Sequence, residues 1–263
     1  MRLPLGRRAP LLHVAIDRGA GSPVVLIHGV ASSSVTFQNV IPLIEGEHHC
    51  IAIDLLGFGE SPAPADSEYT LADHCAAIER TIDSLHVRTP FTLVGHSMGS
   101  LIGARYAARN PHRVEKLVLV SPPVYVAPAE LSDAVERTKL DLYLKAYAYI
   151  RANKKFTLDH ARVVEKLLPI PKAMDINEGN WDAFVKSLMN SIESQTTISD
   201  LAAVKAPIEV VYGDLDEFHS EGVLRIVGRL KGVTVHKVRG SDHLIGARLA
   251  RVVATAIGGP PVS

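Results

Sequence analysis

Only two cysteines, Cys50 and Cys75, occur in 263 residues. Two thiols supply neither a disulfide framework nor a zinc-ligand spacing, and they read as buried, reduced side chains. Charge of one sign is also missing. Lys plus Arg and Asp plus Glu each number 28, which speaks against a nucleic-acid-binding face and against a polybasic membrane patch. No apolar run approaches the length of a transmembrane helix. The basic start Met1-Arg2-Leu3-Pro4-Leu5-Gly6-Arg7-Arg8 has no apolar region behind it, so no secretory signal is expected. The histidines are not grouped at metal-ligand spacing. No internal repeat or low-complexity segment is visible. From these absences the expectation is a soluble, cytoplasmic protein that acts on a small molecule, with neither nucleic acid nor membrane as partner and with no metal or cofactor.

What is present fits a folded globular protein. Hydrophobic residues make up 47% and charged residues 21% of the chain, an ordinary balance that argues against disorder. The length suits one large α/β domain, or a core with an inserted subdomain.

Short apolar runs alternate with helical patterns. Leu11 to Asp17 alternates loosely and predicts a strand. Val24-Val25-Leu26-Ile27 and Cys50-Ile51-Ala52-Ile53 are continuous apolar runs, as strands buried on both faces of a parallel sheet require. Val35 to Ile44 predicts a short helix. A clearer one carries the stripe Leu71, Cys75, Ile78, Ile82 and Leu85, with Thr70 and Asp73 as a start signal. Phe91 to Val94 and Val114 to Val120 are two further strands, separated by a helix rich in small residues that Asn110-Pro111 stops. This alternation implies βαβ units and a mostly parallel sheet.

The rhythm then changes. From about Pro128 to Leu201 the pattern is helical, with Leu131, Val135, Leu142, Ala146 and Tyr149 at helical spacing. Two more helices are predicted over 158–168 and 180–192, separated by Pro169 and Pro171. This predicts a helical cap over residues 124–201, inserted between a core of residues 1–123 and 202–263. Tyr125, Tyr143, Tyr147, Tyr149, Phe156, Trp181 and Phe184 lie in or just ahead of it. Most of these suit the insertion's own small core, and a few suit an apolar substrate pocket. After Ala206-Pro207 the sheet pattern resumes with Ile208 to Tyr212, a helical stretch over 222–230, Val233 to Val238 and a closing helix over 244–257.

The chemistry gathers around Gly95-His96-Ser97-Met98-Gly99. A strand precedes it and a helix follows, the context of a nucleophile elbow. A serine on so sharp a turn sits in a strained backbone conformation, and its neighbours must be small. The Met98 N–H stands at a helix N-terminus, ready to donate to a developing oxyanion. The loop after the second strand, His28-Gly29-Val30, offers the Val30 N–H as a second donor, although alone it reads as an ordinary turn. A serine hydroxyl needs a base, and the base needs a carboxylate. Asp214 and Asp216 follow the sixth strand, and His243 follows the last. Loops after parallel strands share one edge of the sheet, so these residues converge, in the order Ser, Asp, His. His236 lies inside a strand, His219 beyond the acids, and His96 suits a supporting role.

With these residues in place, the chain resembles the α/β-hydrolase superfamily. The resemblance rests on His28-Gly29, on Asp54-Leu55-Leu56-Gly57-Phe58-Gly59-Glu60-Ser61, on Gly95-His96-Ser97-Met98-Gly99, on Gly213-Asp214-Leu215-Asp216 and on Gly240-Ser241-Asp242-His243. It implies an α/β fold with a mostly parallel central sheet of about eight strands, helices on both faces and a helical cap. The family's Gly-x-x-Asp pattern gives Asp216 the role of acid, with Asp214 as the alternative. The implied catalytic set is Ser97, Asp216 and His243, with oxyanion donors at Val30 and Met98. A serine carboxylic-ester hydrolase is the function so implied. A C–C bond hydrolase or a cofactor-free haloperoxidase on the same scaffold is a second possibility. The first of these more often shows Gly-Asn-Ser-Met-Gly, where this chain has His96. A dehalogenase or epoxide hydrolase would place Asp at position 97. A binding or signalling protein with slow turnover is the alternative of another class.

Overall fold

The apolar runs pair into one seven-stranded sheet in the order β1-β3-β2-β4-β5-β6-β7. Its strands are β1 (Val14–Arg18), β2 (Ser22–Ile27), β3 (His48–Ile53), β4 (Phe91–His96), β5 (Val114–Val120), β6 (Ile208–Gly213) and β7 (Val233–Val238). The computed structural model describes residues 8–125, 134–167, 170, 174–218 and 220–258. Within these the sheet has seven strands where about eight were expected. Only β1 runs antiparallel, at the edge beside β3. All other pairings are parallel.

Alternation along each strand divides the core in two. Val25, Ile27, Ile51, Ile53, Leu93, Leu117 and Leu119 face one side, under α2 (Leu71–Ser84) and α3 (Met98–Arg109). Val24, Leu26, Cys50, Ala52, Val94, Val118 and Val120 face the other, under α1 (Ile41–Ile44) and the last helix, α9 (Ala247–Ile257). Hence every residue of β4 is buried, and its sequence shows no amphipathic alternation. Cys50 and Cys75 are free and buried.

Between β5 and β6 the described residues hold helices and no strand. These are α4 (Ala134–Ala152), α5 (Lys154–Leu167), α6 (Trp181–Ser187), a π-helical turn over Leu188–Glu193 and α7 (Thr197–Ala203). A further helix, α8 (Glu221–Val227), links β6 to β7. The helix expected over 180–192 is therefore half α and half π. The one expected over 35–44 is also divided, into a 3-10 turn at Ser34–Phe37 and α1. Pro42 accounts for the break, because it has no N–H to continue a helix from residue 38. Pro128, Leu131, Leu168, Pro169, Pro171 and His219 lie outside the described residues.

Candidate active site

The parallel strands end together. Ile27 pairs with Gly95, His96 with Val120, Val120 with Val211, and Gly213 with Val238. This register brings the segments after β2, β4, β5, β6 and β7 to a single edge. Val30, Ser97, Ser121, Asp216 and His243 all lie on those segments.

Ser97 stands between β4 and α3 with φ 51 and ψ −124. A non-glycine residue with positive φ is strained, and such strain concentrates at functional turns. The surroundings hold it there. The Ser97 N–H donates to the Val120 carbonyl at 2.9 Å. The Ser100 hydroxyl donates to the Gly95 carbonyl at 2.7 Å. The two glycines are required by contact. A Cβ on Gly95 would stand 2.3 Å from the Gly99 carbonyl oxygen, and one on Gly99 would stand 2.4 Å from that of Ile27. Met98 is the first residue of α3, where backbone N–H groups have no partner within the helix.

The loop after β2 lies against the serine. A Cβ on Gly29 would meet Ser97 Cβ at 2.8 Å and Oγ at 3.3 Å. Thus Val30, the next residue, is carried to the elbow by the loop that touches Ser97. His28 anchors this loop from below. Its Nδ1 bonds the Gly29 carbonyl at 2.7 Å, and its Nε2 accepts the Leu55 N–H at 2.8 Å. That pattern assigns the proton to Nδ1 and requires a neutral ring. Complete burial pushes the His28 pKa down to about 4, against the opposing pull of Asp54. Asp54 braces the adjoining turns, accepting from the Ser34 N–H at 2.8 Å, the Ser34 hydroxyl at 2.7 Å and the Glu60 N–H at 3.0 Å. The motif from Asp54 to Ser61 is thus a brace behind the loop, buried except at Gly59 and Glu60.

His243 Nδ1 lies 3.0 Å from both carboxylate oxygens of Asp216. Asp214 instead accepts the Gly240 N–H at 2.6 Å, so it closes the loop after β7 and does not face the imidazole. Burial by itself raises the Asp216 pKa, but its contact with His243 and the Phe218 N–H at 2.9 Å outweigh that and keep it below the usual carboxylate value. The buried Ser121 hydroxyl adds to the lowering without reaching the geometry of a full hydrogen bond. Ser121 has φ 49, a strained residue on this edge like Ser97 and Ala31. Nothing in Ser121-Pro122-Pro123 beyond a strand end signalled its place beside Asp216.

His96 joins the two halves. Its Nε2 lies 2.9 Å from the His243 carbonyl oxygen, and the two rings are 5.0 Å apart. The strand end that carries Ser97 is therefore tied to the loop that carries His243. The Phe218 ring packs on His243 at 4.7 Å. His236 is engaged elsewhere, 2.6 Å from Glu209 across β6 and β7. Among the described residues no group of three or more His, Cys, Asp or Glu side chains has the arrangement to hold a metal ion, and no helix is long and apolar enough to cross a membrane.

Comparison with known proteins agrees with this architecture. The family model of the alpha/beta hydrolase fold matches residues 22–246. A probable lysophospholipase of Arabidopsis thaliana, BODYGUARD 4, is 40% identical over 248 residues, covering 84% of this chain and 59% of its own. A cis-3-alkyl-4-alkyloxetan-2-one decarboxylase of Shewanella oneidensis is 39% identical over 126 residues, 47% of this chain and 39% of the relative. The chain thus spans less than two thirds of these curated relatives. Among solved structures, a loop variant of a haloalkane dehalogenase from Bradyrhizobium elkanii superposes with a TM-score of 0.68 at 21% identity, over 92% of this chain and 91% of that one. The sheet order, the strained serine turn and the match over 22–246 together establish that this chain belongs to the α/β-hydrolase fold family.

Proposed function

We propose that this protein is a serine hydrolase that cleaves carboxylic esters with a small to medium apolar acyl group. The observation that carries the reading is the Asp216–His243 pair at 3.0 Å, tied through His96 to the strand end that bears the strained Ser97. His243 takes the Ser97 proton as Oγ attacks the ester carbonyl. The N–H groups of Val30 and Met98 hold the negative oxygen of the tetrahedral intermediate. His243 then protonates the leaving alcohol. Water, deprotonated by His243, attacks the acyl-enzyme, releases the acid and restores the serine. Asp216 holds the imidazole with its proton on Nδ1 and stabilises the charged form.

The helices between β5 and β6 form the proposed cap over residues 124–201, on a core of 1–123 and 202–263. Tyr125, Tyr143 and Tyr147 from this region come under the electrostatic influence of Asp216, which supports the cap as the wall of the substrate site. A lysophospholipase cleaves an ester, so the likeness to the Arabidopsis relative is consistent with this chemistry. The likeness to a haloalkane dehalogenase supports the fold alone, and serine at position 97 argues against dehalogenation through an aspartate at that position.

The test is a p-nitrophenyl ester series of increasing acyl length on the wild type and on Ser97→Ala, with fluorophosphonate labelling of both. We expect a chain-length optimum, covalent labelling at Ser97, and loss of both in the variant. Wild-type turnover by Ser97→Ala would overturn the proposal. A folded wild type that neither labels nor turns over would instead favour a binding protein on a hydrolase scaffold.

A further inference from the structure

Two tyrosines meet where the core gives way to the helices that follow β5. Tyr125 lies just beyond Ser121, on the segment leaving the C-terminal edge of the sheet, and Tyr147 lies on α4. Their hydroxyl oxygens are 3.3 Å apart. The pair is well supported. The Tyr125 N–H donates to Gln195 Oε1 at 3.2 Å, and Gln195 Nε2 donates to the carbonyls of Pro123 and Ile192, each at 2.9 Å. Both rings pack against the main core cluster. A nearby tyrosine on the same helix, Tyr143, donates to the Glu217 carbonyl, next to Asp216. The phenol pair is therefore built into the junction of α4 and the segment after β5, one turn of α4 from the contact that Tyr143 makes with the loop holding Asp216.

Its charge environment agrees. Burial raises both phenols above the ordinary tyrosine value, and the Asp216 carboxylate raises both further. Either hydroxyl can donate in the bond between them. Each phenol has one proton and their bond uses one of the two, so whichever phenol accepts keeps a proton that is not used within the pair. A hydrocarbon chain laid against it would leave a desolvated donor unmatched, whereas a second oxygen on the substrate would match it.

Resting on the esterase reading, we propose that Tyr125 donates to Tyr147 and that Tyr147, so oriented, is a specificity-determining residue that donates to a substrate oxygen outside the scissile ester. The preferred substrates are then esters whose apolar group carries an ether, keto or hydroxyl oxygen, rather than simple alkyl esters. A site built to hydrogen-bond a substrate discriminates against the analogue that lacks the partner more strongly than an apolar pocket discriminates by size.

The experiment uses matched pairs: p-nitrophenyl alkanoates against esters of equal chain length with one ether oxygen at successive positions, and alkyl butyrates against butyrates of ether alcohols of equal length. The readout is the ratio of kcat/KM within each pair, which cancels general effects on the enzyme. We expect at least one oxygen position to be favoured about tenfold, the worth of one good hydrogen bond. Tyr147→Phe should bring that ratio to about one. Tyr149→Phe, at an exposed position of α4, should keep it. If Tyr147→Phe does not fold, Tyr125→Phe is measured in its place and should lower the same ratio. Ratios near one at every position in the wild type overturn the proposal. So does a preference that persists in the Tyr147 variant, which would make the pair a structural contact only. Failure of the esterase reading is separate. It shows as no hydrolysis of any ester and no fluorophosphonate labelling at Ser97, and the proposal then falls with it.

Discussion

At the scale of single residues, the candidate site depends on close backbone approach as much as on its reactive side chains. Gly29 lies against Ser97 so closely that any side chain must move it, since the nearest atom is Ser97 Cβ at 2.8 Å. Gly29→Ala should displace either the serine or the loop that brings Val30 to it. Loss of one oxyanion donor lowers rates by about 100- to 1000-fold, and we expect the same order of loss in ester turnover. Fluorophosphonate labelling should slow in step, with little change in the urea midpoint. Unchanged labelling would show that the loop does not serve the serine. The turn that carries the candidate nucleophile was legible from the chain, because strand, Gly-x-Ser-x-Gly and helix form a local pattern. The choice of Asp216 over Asp214 rested on the Gly-x-x-Asp pattern of the family resemblance. Both follow β6, and only the turn that directs one carboxylate to His243 and the other to the Gly240 N–H separates them. Ser121 was invisible for a similar reason: its φ of 49 and its place beside Asp216 come from the sheet register, not from its neighbours in sequence.

At the scale of elements, local signals located starts better than continuations. Thr70 and Asp73 form a reciprocal capping box at the start of α2. The Asp73 N–H donates to Thr70 Oγ1 at 3.2 Å, and the Thr70 N–H donates to Asp73 Oδ2 at 3.0 Å. Thr70→Ala removes one half of it and should lower stability by about 1 kcal/mol, read as a shift in the urea midpoint at constant slope. A change within error would mean that tertiary contacts alone hold the helix start. The strands were legible for a different reason. Runs of four or more β-branched and aliphatic residues have few other stable placements than the middle of a parallel sheet. The π-helical turn over Leu188–Glu193 was not legible. It follows α6 without a break in the apolar pattern, and a change in backbone winding leaves no mark on composition. Helices α4 and α5 were visible as periodic stretches, but periodicity does not say which face meets the core.

For the molecule as a whole, the buried histidines couple stability to pH. Burial lowers the pKa of His28 to about 4 and that of His74 and His96 to about 3, from an ordinary 6.5. In the folded protein these rings stay neutral at pH values where the unfolded chain has already protonated them. Unfolding therefore takes up protons below about pH 6.5. The stability associated with the neutral rings is fully present above 6.5 and is lost as pH falls towards 4 and then 3. Near pH 5 each histidine contributes a slope of about 1.4 kcal/mol per pH unit. Asp54 and Asp216, held below the usual carboxylate value, add a loss of the same sign only at lower pH. Urea midpoints at pH 7.5, 6 and 5 should fall progressively. His74→Leu, which removes a ring with neither nitrogen hydrogen-bonded, should flatten the fall by about a third. A midpoint independent of pH over this range would contradict the account.

The sequence by itself determined the fold class, the order of strands and helices along the chain, and the candidates for nucleophile and base. It did so because apolar periodicity and turn chemistry are local properties, readable within a dozen residues. The tertiary structure decided which aspartate meets His243, how Gly29 is pressed against Ser97, and that Tyr125 and Tyr147 meet. Those relations join residues far apart in sequence. They are set by strand register and by the packing of helices onto the sheet, where an ångström separates a hydrogen bond from a mere neighbour.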